Sequence, residues 1–155
     1  SVTNTENIKK LEKNIVLVFS GTSREAQILE KEKKRNFDKN INYLKKINEI
    51  TFKAEEKISS SKDILSDFSE LMDEYWWLKK KLAYNVTNSK IDEIFNLAKK
   101  SGAESGKILG AGGGGFFLFI VKEKKQKEFI EKLKKFVIFM PRFENLGSQI
   151  IYYQK

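Results

Sequence analysis

The sequence predicts an α+β fold: an antiparallel sheet with helices packed on one face, and a helical hairpin beside it. Three observations carry that expectation. Short apolar runs at residues 15–19 and 116–121 have the length and β-rich composition of buried strands. Between them, residues 40–98 hold apolar residues at helical spacing in three successive stretches. After them, strand-like and helix-like segments are grouped rather than strictly alternated, which separates α+β from α/β.

In chain order, residues 1–13 are polar and read as a lead-in or short helix. The run Ile15 to Phe19 reads as a strand covered on both faces, ending in the turn Ser20-Gly21-Thr22-Ser23. A helix is expected over residues 24–30. Ile41, Leu44, Ile47, Ala54 and Ile58 mark a longer helix, and Ser59-Ser60-Ser61 breaks it. Ile64, Phe68, Leu71, Tyr75, Leu78 and Leu82 step by three and four along a second, its antiparallel partner. Trp76 and Trp77 cannot both face that seam. Asn88 or Thr87 caps a third helix over Ile91, Ile94, Phe95 and Ala98, with Gly102 as its stop. A strand is expected over residues 106–109, another over 115–121, a basic helix over 124–135 and a strand over 136–139. Ser148 to Tyr153 is expected to pair with the last as a closing antiparallel strand.

At 155 residues, with 40% hydrophobic and 33% charged residues, the chain is expected to form a single globular domain over residues 1–155. Cys and His are absent, which excludes a disulfide framework, a thiol nucleophile, thiolate metal sites and an imidazole base. No metal ligands are assigned. The formal net charge of +9 admits phosphorylated ligands or nucleic acid, but Lys is spread over every segment and only Arg24, Arg35 and Arg142 offer a guanidinium fork. A solvated Lys-rich surface is therefore favoured over a nucleic-acid interface. No apolar run approaches a membrane span, so no membrane partner is expected and the expected location is the cytoplasm.

Gly110, Ala111, Gly112, Gly113, Gly114 and Gly115 hold five of the nine glycines in one block. Such backbone is retained where a chain turns sharply or lies against another backbone or a ligand. The spacing Gly110-x-Gly112-x-x-Gly115 imitates a dinucleotide fingerprint, but that motif opens a helix and this one opens a strand. Ser20, Gly21 and Thr22 before a helix form a second place suited to an anion, with Arg24 in the first helical turn.

Lys107-Ile108-Leu109-Gly110-Ala111-Gly112-Gly113-Gly114-Gly115-Phe116-Phe117 resembles the C-terminal glycine-rich motif of the GHMP small-molecule kinases. Leu17 to Arg24 resembles their strand-to-helix element. Pro141-Arg142-Phe143-Glu144-Asn145-Leu146-Gly147-Ser148 is similar to the tail of the heptose-phosphate kinase branch, as is the spacing of Trp77-Leu78-Lys79-Lys80, Ile91-Asp92 and Gly102-Ala103. The resemblance implies a ferredoxin-like C-terminal half of a two-domain enzyme that transfers the γ-phosphate of Mg-ATP to a hydroxyl, anomeric in the nearest branch, of a sugar phosphate such as a heptose phosphate. It implies that ATP and Mg are held by an N-terminal kinase domain, the chain's partner, whose entry motif and phosphate loop these residues lack. No catalytic residue is assigned here, and the chain alone is expected to be inactive. By resemblance, Gly110 to Gly115 brace the nucleotide loop. Ser20, Gly21, Thr22 and Arg24 would face the acceptor or orient a catalytic carboxylate of the other domain; Arg142, Lys79 and Lys80 are weaker candidates for the acceptor's own phosphate, the two lysines reading more readily as surface residues. The alternative is a non-enzymatic basic module that binds nucleic acid or a regulatory ligand.

Overall fold

A computed structural model describes residues 4–21, 37–82, 86–144, 146–150 and 152. Asn4 begins the first helix, α1 (Thr5–Asn14): its Oδ1 accepts from the amides of Glu6 at 3.0 Å and Asn7 at 3.2 Å. The lead-in is thus a capped helix whose Leu11 is buried. It runs directly into β1 (Ile15–Phe19). The helix expected over residues 24–30 lies outside the described residues, as do Thr22, Ser23 and Arg24.

The expected hairpin is present as α2 (Phe37–Ser60) and α3 (Ile64–Leu82). Asn7 Nδ2 donates to the carbonyls of Ile58 and Ser61, both at 3.1 Å, which ties the bend between them to α1. At the other end, Asn40 Nδ2 donates to the carbonyl of Leu82 at 2.7 Å. Trp76 faces the core and Trp77 is half exposed. Asn88 caps α4 (Ser89–Lys100), accepting from the Ile91 amide at 3.0 Å, and Gly102 follows the helix at φ +109°.

Strands β2 (Ala103–Ile108) and β3 (Phe116–Val121), helix α5 (Glu123–Lys132) and β4 (Ile138–Phe139) complete the order. The sheet is antiparallel with order β2-β3-β1-β4, so β1 from the first half of the chain is its centre, inserted between strands of the second half. Val16 lies opposite Phe119, and Val18 opposite Phe117. With Ile108 and Val121 these side chains make one face of the sheet, buried against Trp76, Ile91, Ile94, Ala98 and Phe129. Coverage extends to part of the second face, where Ile120 and Leu118 meet Leu11, Ile64, Leu65 and Met72.

The C-terminal expectation is corrected. None of the described residues 146–150 and 152 is in a strand, and Leu146, Ile150 and Tyr152 are 71%, 85% and 76% exposed. The physical reason lies in β4, which has only two residues and offers too short an edge to pair with. Pro141 lacks the amide needed to extend it on one side, and on the other the Phe136 amide turns back to the Leu133 carbonyl.

Candidate functional site at the glycine-rich end of the sheet

The β2–β3 connection is closed by the Leu109 amide donating to the Phe116 carbonyl at 2.7 Å. Within it, Gly110 and Gly112 take φ of +68° and +110°, a region closed to most side chains. Gly112 also lies against Val86: a Cβ there would stand 3.1 Å from the Val86 Cα. The Gly113 amide donates to the Val86 carbonyl at 2.9 Å. The block is therefore two-sided. Gly112, Gly113 and Gly114 are buried against this chain's own residues, Ala111 and Gly115 are half-buried, and Gly110 is exposed with open space around it. The Gly113 donor is thus taken within the chain.

The turn after β1 reaches the same place. The Ser20 amide donates to the Gly115 carbonyl at 2.9 Å, so the two stretches that stood out in the sequence, ninety-odd residues apart, meet at one end of the sheet. Gly21 is exposed at φ +71°, with the Lys90 ammonium 3.6 Å from the position a Cβ would take. Ser20 is fully buried and does not open its hydroxyl onto this chain's surface. Thr22 and Arg24 lie outside the described residues. Arg142 is not brought to this end. It is exposed, and the amide of its neighbour Phe143 donates to Glu12 Oε2 at 2.7 Å, at the opposite end of β1 from Ser20.

Lys79 is the residue that sequence reasoning misplaced. Neither a surface lysine nor open to an acceptor, it is 4% exposed, and its ammonium donates to the carbonyls of Ile108 at 3.0 Å and Gly110 at 2.6 Å. The cause is the path of α3, which runs beside β2 along the sheet edge. Met72 meets Ser105, Tyr75 meets Lys107 and Lys79 meets the strand's end. Edge carbonyls have no further strand to accept from, and a charged donor satisfies them. One signal was present: Lys79 stands four residues after Tyr75 and three before Leu82, on the seam face. Lys80, by contrast, is exposed. Val86, the other support of the block, carried no signal.

Geometrically, this end of the sheet offers one bare, exposed backbone corner at Gly110, braced from behind by Val86 and Lys79. Among the described residues no group of three or more acidic side chains is placed to hold a metal ion. None of the described helices is long and apolar enough to cross a membrane.

These features define the C-terminal domain of a GHMP kinase. Residues 61–138 match the family model for that domain, and the chain belongs to the family. More particularly, it is 31% identical over 128 residues, 81% of its length, to D-glycero-alpha-D-manno-heptose 7-phosphate kinase of Campylobacter jejuni, and spans 37% of that protein. It is 28% identical over 137 residues to the bifunctional fucokinase/GDP-fucose pyrophosphorylase of Arabidopsis thaliana, covering 85% of this chain and 13% of that one. The crystal structure of Methanococcus jannaschii mevalonate kinase superposes with a TM-score of 0.63 at 28% identity, over 86% of this chain and 41% of that chain.

Proposed function

We propose that this domain is the C-terminal half of an ATP-dependent sugar kinase whose acceptor is a heptose phosphate. In the reaction, the acceptor hydroxyl, anomeric in this reading, attacks the γ-phosphorus, the bond to the β-phosphate oxygen breaks, and ADP leaves. The proton passes to a base outside this chain. Phosphoryl transfer asks a protein for positioning and charge neutralisation rather than covalent chemistry. This domain's contribution is the bracing of the nucleotide-binding loop by the corner at Gly110 to Gly115. Gly21, with Thr22 and Arg24 after it in the sequence, orients the acceptor side, Ser20 anchoring that stretch from beneath, and ATP and Mg are bound by an N-terminal domain in the cytoplasm. The single observation that carries the reading is the Ser20–Gly115 hydrogen bond, which joins the acceptor-side turn to the glycine block. The heptose acceptor rests on the name of the Campylobacter relative.

The test uses the full-length protein with Mg-ATP and a panel of heptose 7-phosphate, fucose and mevalonate, reading ADP release and product mass. Heptose 7-phosphate is expected to be phosphorylated in preference. Gly110→Val, at a position with open space but a left-handed backbone, is expected to lower kcat/KM by roughly 100-fold through misplacement of the corner, with a strain cost of about 1–3 kcal/mol that lowers the melting temperature and leaves the domain folded. Preference for fucose or mevalonate overturns the acceptor. Wild-type rates from the variant remove the block from the mechanism.

A further inference from the structure

Beside β2, the helical hairpin forms a half-open cavity of about 240 Å³ lined mainly by apolar residues of α2 and α3, with Thr51, Tyr75 and Lys107 in its wall. The Lys107 ammonium sits 4.2 Å from the centre of the Tyr75 ring. Among the described residues no carboxylate pairs with it, although seven other lysines here have acidic partners. Tyr75 likewise donates its hydroxyl to no acceptor among them. Partial burial lowers the Lys107 pKa and raises that of Tyr75, so both are drawn partly out of water. An ammonium at the edge of an apolar wall, beside an aromatic face and with no carboxylate partner among the described residues, is a costlier packing element than a methionine, which would fill the same space without the charge.

We propose that this cavity is a binding site for a small amphipathic carboxylate, its head on Lys107 and its apolar body against Ile50, Ala54, Phe68 and Leu71. The charge argues for an anion, and one ammonium matches a singly charged carboxylate better than a doubly charged phosphate. The apolar lining demands a hydrocarbon body. The volume, below the roughly 300–1,000 Å³ of drug-sized sites, limits it to a short chain.

Hexanoate and 1-hexanol, titrated calorimetrically into the 155-residue chain, test this without reference to phosphoryl transfer. Hexanoate is expected to bind saturably at one site and 1-hexanol at least about ten-fold more weakly, the difference made by one charge-assisted hydrogen bond. Lys107→Met is expected to erase the preference for hexanoate, and Lys107→Arg to keep it. Ala54→Trp, which fills the cavity from α2 and leaves the lysine in place, is expected to abolish binding and provides a second arm independent of the charge. Equal binding of acid and alcohol to the wild type, hexanoate binding untouched by Lys107→Met or Ala54→Trp, or no hexanoate binding overturns the site.

Discussion

Two lysines on either side of Tyr75 illustrate how a residue's neighbours decide what its charge does. Lys79 Nζ reaches two backbone carbonyls at the mouth of the glycine block, and Tyr75 lies 5.6 Å away. Replacing it by methionine keeps the volume but leaves buried carbonyls without that donor. The expected cost is about 1–3 kcal/mol, read as a lower urea midpoint at unchanged slope; a change of a few tenths would mean the carbonyls find water instead. Lys107 has the opposite problem. Its charged form is disfavoured in the folded state, so its folded pKa lies below the ordinary 10.5 while the unfolded chain keeps that value. Between the two, the unfolded state binds more protons, and this residue's contribution to stability rises with pH through that window. Lys107→Met is therefore expected to be more stable than the wild type at pH 7, with an advantage that shrinks toward pH 10. A constant difference across that range would show that the shift contributes nothing to folding.

At the scale of the element, β2 shows why some strands are written in their own residues and others are not. Strands β1 and β3 announce themselves as unbroken apolar runs. The sequence Ala103-Glu104-Ser105-Gly106 announces nothing, and its strand was anticipated only from Gly106 onward. What makes it a strand is its neighbour: the Phe119 ring lies over Gly106, and a Cβ there would stand 2.3 Å from the ring. Phe119 cannot yield, since its ring is packed 5.3 Å from that of Phe117 and 5.9 Å from that of Phe129. Gly106→Ala is expected to cost about 1–3 kcal/mol by overpacking, measurable by chemical denaturation, although alanine suits a strand no worse than glycine. A neutral result would mean that the ring has room to move. The same reasoning explains what was legible at the candidate site. The glycine block declared itself by composition, and the turn after β1 by its hydroxyls and glycine. Lys79 and Val86 reach the block from 31 and 27 residues away in sequence, a distance that neither periodicity nor propensity encodes. The closing strand failed for the complementary reason: alternation in residues 148–153 reports a tendency, and the two-residue β4 gives it nothing to pair with.

For the whole molecule, burial is unevenly shared, and stability should be as well. The centre of the sheet is dry, with Val16, Val18, Phe117, Phe119, Ile120 and Val121 all at or near zero exposure. Helix α2 is the longest of the described elements, yet of its described side chains only Asn40 and Ile50 are buried. Its length alone does not hold it in place, because helices in proteins depend mainly on tertiary packing of one face. It is anchored near each end, by Asn40 to Leu82 and by the bend at Ile58 and Ser61 to Asn7. Its middle forms the roof of the cavity beside Lys107. Native-state hydrogen exchange is therefore expected to show the central amides of α2 opening at a lower free energy than those of β1 and β3, which exchange only on global unfolding. Equal protection throughout would make the hairpin and sheet one cooperative unit. Because a ligand that binds only the closed hairpin stabilises it by mass action, hexanoate should slow exchange in the middle of α2 more than in β3. That pattern would place the occupant under the hairpin independently of any substitution, whereas uniform slowing would mean that the molecule binds a surface common to the whole fold.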